Sequence, residues 1–312
     1  MSPIHLTPPS SPARPPAGGS PPAEPCASVL PERRPEWLKV RLRDVDAVAR
    51  MRPVLQGLHT VCESARCPNL GECWGRGTAT FMILGNLCTR RCTFCAVPQG
   101  RPEPPDPAEP ARVADAVRQL GIRHTVITSV TRDDLPDQGA GQFAACIREV
   151  RAVRPDCSIE VLIPDFQGHW DALDLVMRER PEVLNHNIES VPRLYRRVRP
   201  GGVYKRTLEL LERARAYATS KTKSGLMVGL GETKEEVLAT LQDLRAHGVQ
   251  VVTIGQYLKP RTQRVPMFRY VHPDEFAEYK AFALDLGFEH CESGPLVRSS
   301  YHAEAHVGQA LR

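Results

Sequence analysis

The chain has no long apolar run. Nothing in its 312 residues approaches the roughly 20 consecutive apolar positions that a membrane helix needs, and no apolar segment follows Met1 as a secretory leader would require. Membrane insertion and export are therefore not expected, and the sequence reads as that of a cytoplasmic protein. Lysine is scarce. Lys39, Lys205, Lys221, Lys223, Lys234, Lys259 and Lys280 are the only ones, so the formal charge of +5 rests mostly on arginine. That excess is too mild to point to nucleic acid, and the densest basic run, Arg193, Arg196, Arg197, Arg199, Lys205 and Arg206, reads as a solvated face. Residues 1–33 lack apolar periodicity and are rich in Pro, Ser, Gly and Ala, so a disordered tail is expected there. With the single Arg14 in its first 30 residues and repeated prolines, the tail does not read as an Arg-rich amphipathic presequence. Order is expected from Arg34-Pro-Glu-Trp-Leu-Lys39 onward, and a 41% apolar composition supports one large α/β domain with appendages.

Cysteine is present and concentrated. Six of the ten cysteines form two tight groups, Cys62-x4-Cys67-x5-Cys73 and Cys88-x3-Cys92-x2-Cys95. Disulfides suit small domains in oxidising compartments, a poor match to this chain. Structural zinc favours paired Cys-x2-4-Cys knuckles closing a tetrahedron, and neither triplet divides that way. Two sets of three thiolates instead match two [4Fe–4S] clusters, each one ligand short of the usual four. Cys146, Cys157 and Cys291 stand alone and read as small buried apolar residues.

From Thr78 onward, short β-branched or apolar runs alternate with longer amphipathic ones. Strands are expected at Thr80–Gly85, His124–Val130, Ile159–Ile163, Val183–Ile188, Ser224–Leu230 and Val251–Tyr257. Helices are expected at Pro107–Leu120, Gly141–Val153, Trp170–Glu179, Lys205–Ala218, Lys234–His247 and Pro273–Leu286. Six βα units predict a parallel sheet curling into a partial (β/α)6 TIM-type barrel; the same alternation permits an open doubly wound sheet. The barrel is favoured because Cys88, Cys92 and Cys95 follow the first strand directly. Polar groups then close later strands: Thr128-Ser129, Asn185 to Glu189, Gly229 to Glu232, and Gln256-Tyr257. The resulting division is a tail (1–33), an N-terminal extension bearing the first triplet (34–77), the barrel (78–290) and a C-terminal extension (291–312).

Cys88-Thr-Arg-Arg-Cys92-Thr-Phe-Cys95 resembles the motif of radical S-adenosylmethionine enzymes residue for residue. The resemblance implies that three thiolates hold a cluster whose fourth iron takes the methionine moiety of the cofactor, and that reductive cleavage yields a 5′-deoxyadenosyl radical. The first triplet, within Cys62-Glu-Ser-Ala-Arg-Cys67-Pro-Asn-Leu-Gly-Glu-Cys73-Trp, narrows the likeness to the lipoyl synthase family. Agreeing segments are Arg34 to Lys39, Ile127 to Leu135, Asn185-His-Asn187, Thr222 to Thr233, Gly255-Gln-Tyr-Leu258 and Arg298-Ser-Ser-Tyr-His-Ala303. By that resemblance the fold would be a partial barrel whose two extensions hold an auxiliary cluster. The activity would insert sulfur at C6 and C8 of an octanoyl chain on a carrier-protein lysine. Cys88, Cys92 and Cys95 would serve the radical; Cys62, Cys67, Cys73 and Ser300 would hold the auxiliary [4Fe–4S] cluster that donates sulfur. Asn187 and Glu189, read as two apart on the fourth strand, would contact the cofactor ribose, and Thr128 and Ser129 its methionyl end. Gly225 to Glu232 would line the adenosine pocket, and Lys223 and Arg298 would balance charge.

The same resemblance implies octanoylated carriers as partners: 2-oxoacid dehydrogenase acyltransferase subunits and the glycine cleavage H protein. It further implies a flavodoxin or ferredoxin as reductant and a carrier that rebuilds the spent cluster; a monomer is expected. One departure stands out. The family pattern Asp-Gly-Gly-Ala is here Asp137-Gln138-Gly139-Ala140, so a non-glycine occupies a position where glycine's conformational freedom would help. Two alternatives remain open on the sequence: another radical sulfur-inserting enzyme similar to biotin synthase, and a non-enzymatic iron–sulfur carrier.

Overall fold

The computed structural model describes residues 33–39, 44–65, 67–260 and 265–307. Apart from Arg33, the Pro-rich tail with Cys26 lies outside the described residues. After a 3-10 turn at Glu36–Leu38 come three helices, α1 (Val45–Val54), α2 (Val61–Ser64) and α3 (Leu70–Gly75). Asp44 caps α1 by accepting from the Ala47 amide, and Thr60 caps α2 by accepting from that of Glu63.

Then strands and helices alternate: β1 (Thr78–Ile83), α4 (Glu109–Gln119), β2 (His124–Ser129), α5 (Ala140–Val153), β3 (Ser158–Leu162), α6 (Trp170–Met177) and β4 (Val183–Asn185). After β4 come α7 (Pro192–Val198), α8 (Tyr204–Arg215), β5 (Lys221–Val228), α9 (Lys234–Ala246), β6 (Val251–Gln256), α10 (Pro273–Asp285) and β7 (His290–Gly294). Local chemistry sets the boundaries. Thr233 and Glu236 close a capping box on α9, and Pro273 opens α10 at a position where its missing N–H costs nothing.

All strands are parallel and lie in the order β1-β2-β3-β4-β5-β6-β7. A doubly wound sheet reverses direction at a switch point, whereas unbroken sequential order with right-handed crossovers puts every helix on one side. The sheet is thus the partial barrel, with seven strands rather than six. The additional strand, His290-Cys-Glu-Ser-Gly294, has no β-branched or apolar run, which is why its sequence gives no signal. It also runs through the expected boundary at 290. Strand β4 stops at Asn185, three residues before its expected end, and α7 occupies part of the basic run.

Register and alternation place His124, Glu160, Asn185, Lys223, Thr253, His290 and Glu292 on the inward face. The lumen is correspondingly polar. Its centre is the Lys223 ammonium, fully buried and 2.9 Å from both oxygens of Glu160, which also accepts from Asn185 at 2.9 Å. Lys223 is therefore committed to Glu160, a correction to its expected part in balancing cofactor or cluster charge.

Edge strands β1 and β7 do not pair, and the seam between them is spanned by the chain's own extensions. Thr60 bridges Phe81 of β1. From the other edge, the segment after β7 crosses to α3 and β1. The Leu296 carbonyl accepts from Asn69 (2.7 Å), Tyr301 and His302 meet the Glu72 carboxylate (3.2 and 3.1 Å), and Glu304 takes Arg76 and Thr78 (3.3 and 3.1 Å). Gly255 admits this segment, because a Cβ there would collide with the Val297 carbonyl. A short 3-10 turn, Ala303–His306, ends the crossing.

Candidate active site: two cysteine triplets on one barrel

The loop after β1 is folded tightly onto its neighbours. Cys88 pairs with the Pro98–Gly100 stretch through its amide (2.9 Å) and carbonyl (3.1 Å), and the Cys95 amide reaches the Cys92 carbonyl at 3.2 Å. Thr89 is bonded to Thr131, and Thr93 to the Val198 carbonyl at the end of α7. The backbone amides of Arg90 (3.4 Å) and Thr131 (3.3 Å) donate to the Cys88 sulfur. Two amides aimed at one sulfur suit a thiolate.

Arg90 fixes the loop from within. Its guanidinium forks onto Asp133 (2.7 and 2.8 Å) and reaches Asp165 at 2.6 Å, joining the loop to the ends of β2 and β3. Burial would raise the Asp165 carboxyl, yet the guanidinium charges of Arg90 and Arg199 hold it at about 2. Arg199 is buried beside the loop, donating to the Asn187 carbonyl (2.9 Å), His186 (3.3 Å) and the Tyr195 hydroxyl (3.1 Å). Desolvation first, and Arg199 second, push His186 down to about 3, so its imidazole is neutral, with Nδ1 donating to the Ile163 carbonyl. Arg90, Asp133, Asp165, His186 and Arg199 were missed as site residues, although Arg90 stands between two of the cysteines. The basic run is a solvated face for the most part, with Arg193, Arg196, Arg197 and Lys205 exposed and Arg193 pairing with Glu236; the exceptions are buried Arg199 and half-buried Arg206, which pairs with Asp165.

The second triplet's thiols crowd one another. Burial pushes Cys92 up to about 12, against the pull of Arg199 and with Cys95, Glu189 and Cys88 adding negative charge. Burial likewise raises Cys95, with Cys88 adding to it. The first triplet behaves alike. Cys62 lies on α2, Cys73 on α3 and Cys67 in the turn between, its amide bonded to the Cys62 carbonyl at 2.9 Å. Burial raises all three, and the charges of Cys62 and Cys67 add to the rise at Cys73. Three converging thiols that oppose one another's ionisation call for a cation to hold them as thiolates. Each donor set fits an iron–sulfur cluster.

The segment across the seam brings the residues on either side of Ser299 and Ser300 near the first triplet. Arg298 exerts its charge on Cys67, and Tyr301 senses Cys73; Ser300 lies between them in the chain. At the other triplet, Glu189 interacts with Cys92 and Cys95. Asn187 and Glu189 lie in the loop beyond β4 rather than on it. Glu189 takes a positive φ of 70° and bridges Leu226, so strand alternation does not account for their nearness. The Asn187 Oδ1 and Ser129 Oγ are buried without a protein partner, whereas Thr128 already donates to the Leu162 carbonyl at 2.9 Å. Gly225 leaves room here: a Cβ would strike Thr253 and come within 3.0 Å of Asn187 Oδ1.

Other strand-end groups are occupied structurally. Glu232 accepts from the amides of Gly229 (2.5 Å) and Leu230 (2.8 Å), and Gln256 bonds Val228, Tyr257, Arg269 and Val271. Cys146, Cys157 and Cys291 are buried in the core. No helix among the described residues is long and apolar enough to cross a membrane.

Residues 82–244 match the family model of the Radical SAM superfamily. A lipoyl synthase of Chlorobaculum parvum is 57% identical over 88% of this chain and 95% of its own length. One from Rubrobacter xylanophilus is also 57% identical, over 89% of this chain and 88% of its own. In fold, the FeFe-hydrogenase maturase HydG from Carboxydothermus hydrogenoformans is similar with a TM-score of 0.53 at 15% identity, covering 85% of this chain and 70% of that one. Identity at this level and coverage sets aside the biotin-synthase-like and carrier alternatives. The chain belongs to the radical SAM superfamily and, within it, to the lipoyl synthase family.

Proposed function

We propose that the two triplets divide the work of sulfur insertion at C6 and C8 of a protein-bound octanoyl-lysine. Cys88, Cys92 and Cys95 hold one [4Fe–4S] cluster, to which S-adenosylmethionine binds; Cys62, Cys67, Cys73 and Ser300 hold the other. When bound, the first cluster and S-adenosylmethionine supply a hydrogen-abstracting radical, and the auxiliary cluster supplies sulfur. The chain's own residues do the rest. Arg90 locks the loop, and the amides of Arg90 and Thr131 stabilise the Cys88 thiolate. Ser129 and Asn187 offer their unpartnered oxygens to the cofactor, with Thr128 and Glu189 completing the rim. Arg199 offsets the negative charge of Glu189 and Cys92. Tyr301 and His302, tied to Glu72, hold the segment that presents Ser300. A hydroxyl is a weaker iron ligand than a thiolate, which suits a cluster that must give up sulfur.

The observation that carries this reading is the grouping of each triplet: the folded loop after β1 gathers Cys88, Cys92 and Cys95, and α2, α3 and the turn between them gather Cys62, Cys67 and Cys73. Residues 34–77 and 291–312 then serve as the extensions holding the auxiliary cluster, around the barrel of 78–290. Partners are octanoylated carriers such as 2-oxoacid dehydrogenase acyltransferase subunits and the glycine cleavage H protein. A flavodoxin or ferredoxin delivers electrons, a carrier rebuilds the spent cluster, and the enzyme works as a cytoplasmic monomer, reduced thiolates needing a reducing compartment.

The test is anaerobic incubation of the reduced, reconstituted protein with S-adenosylmethionine and an octanoyl-lysyl carrier, followed by mass measurement of the carrier. A gain of two sulfur atoms is expected. No gain with both clusters intact rejects the reading. Ser300→Cys is expected to keep about eight irons but to lose multiple turnover; full multiple-turnover activity in that variant would overturn the role given to Ser300.

A further inference from the structure

At the end of the barrel away from the cysteine loop, β7 and the 3-10 turn meet over a second group of ligating side chains. His290 and Glu292, two residues apart, share the inward face of β7, and His306 is brought against them from the turn. The rings of His290 and His306 are 4.6 Å apart between centroids, and His290 Nε2 lies 3.1 Å from Glu292 Oε1. One ligand atom from each of the three lies within 4.8 Å of the other two.

His306 supplies the decisive observation. It is 1% exposed, and neither ring nitrogen has a hydrogen-bond partner. Buried polar groups are nearly always bonded, and each orphaned one costs about 1–3 kcal/mol. An imidazole left with both nitrogens free therefore points to a partner other than protein. Charged groups surround it: Glu160 from β3, Glu292 from β7 and Glu304 from the turn, with the Lys223 ammonium from β5 paired to Glu160, Lys280 acting on Glu292 and Arg76 outside on Glu304. His124 from β2, whose Nε2 lies 3.9 Å from Glu160 Oε2, and His302 complete the surroundings.

We propose that His290, Glu292 and His306 bind a zinc ion, distinct from both cysteine triplets. Two imidazoles and one carboxylate form a common donor set for Zn²⁺, with water in the fourth position. Calcium and magnesium prefer all-oxygen sites, and zinc outcompetes iron(II) at nitrogen and oxygen donors. Ligands at about 2.0–2.1 Å from zinc stand roughly 3.3 Å apart. The His290–Glu292 pair already has that spacing, at 3.1 Å, and the third ligand atom, on His306, lies within 4.8 Å of both. The ion ties β7 to the turn at 303–306, and so anchors both ends of the segment that crosses the seam.

The experiment uses the holoprotein with both clusters reconstituted, so that the cluster cysteines are occupied. Zn²⁺ is added anaerobically, the excess removed, and bound metal read by elemental analysis and by zinc-edge X-ray absorption. About one zinc per chain is expected, with only nitrogen and oxygen neighbours near 2.0–2.1 Å. His290→Ala, at a partly exposed position, and Glu292→Gln should each lower bound zinc at least tenfold with iron content unchanged. Absence of retained zinc, a sulfur shell near 2.3 Å, or undiminished zinc in His290→Ala with wild-type iron would each overturn the proposal. If a variant loses iron as well, zinc-dependent protection of the 303–306 amides from hydrogen exchange in the wild-type holoprotein decides: protection supports the site, and its absence refutes it.

Discussion

Gln138 holds φ at 56°, in the left-handed region, immediately before Gly139 at 85°. A side chain there costs about 1–2 kcal/mol, offset in part by the bond from Gln138 Nε2 to the Leu135 carbonyl at 3.0 Å, while Oε1 stays buried and unpaired. Gln138→Gly is expected to stabilise the protein by about 0.5–1 kcal/mol, read as a rise of roughly 2 °C in Tm. A lower Tm would mean that the Gln138 bond outweighs the strain. The buried Lys223–Glu160 pair acts in the opposite direction. Lys223→Met leaves a carboxylate without its counter-charge and should cost about 3–5 kcal/mol, while adding Glu160→Gln should recover most of that. Burial alone would raise the Glu160 carboxyl, but Lys223 and then His124 hold it at about 2 against an ordinary 4.5. Its contribution is therefore complete above pH 4.5 and disappears as the pH falls from there to about 2. Denaturation curves across that window should show a steeper acid loss for the wild type than for the double variant.

Among the elements, the loop after β1 depends on one forked arginine. Arg90→Lys keeps the charge but loses the planar fork, so hydrogen exchange across residues 88–100 should rise about tenfold or more, as expected for losing about 1.5–3 kcal/mol of charge-assisted bonding. Unchanged exchange would show that Thr89 and Thr93 suffice. The cysteines themselves were legible in the sequence because their spacing is short and chemically constrained. Six of the strands were legible because buried parallel strands leave β-branched runs. Strand β7 was not, since its pairing with β6 comes from backbone register and only Cys291 is buried in the core. Arg90, Asp165 and Arg199 escaped notice for a related reason: arginine and aspartate are mostly surface residues, and only the fold reveals that these are buried together. Glu189 was picked for a strand geometry it does not have, its place being set by the loop beyond β4.

For the molecule as a whole, the open side of the barrel is closed by two stretches far apart in sequence. A chain stopped after Gly294 keeps every strand but loses Ser300 and the contacts to Asn69, Glu72, Arg76 and Thr78. It is expected to retain about four irons in place of about eight, the remaining cluster binding S-adenosylmethionine with unchanged affinity; eight irons would show that the first triplet holds its cluster unaided. The closure also has a temporal side. Cys73 and Ser300 are 227 positions apart (300 − 73), which at about 5–20 residues per second is roughly 11–45 seconds of translation. Throughout that interval the nascent barrel stands open along the seam, with the Lys223–Glu160 pair, once made, still reachable by water. Sealing thus waits on the segment made after β7, and a ribosome that stalls anywhere in the barrel leaves a product whose seam has never been crossed.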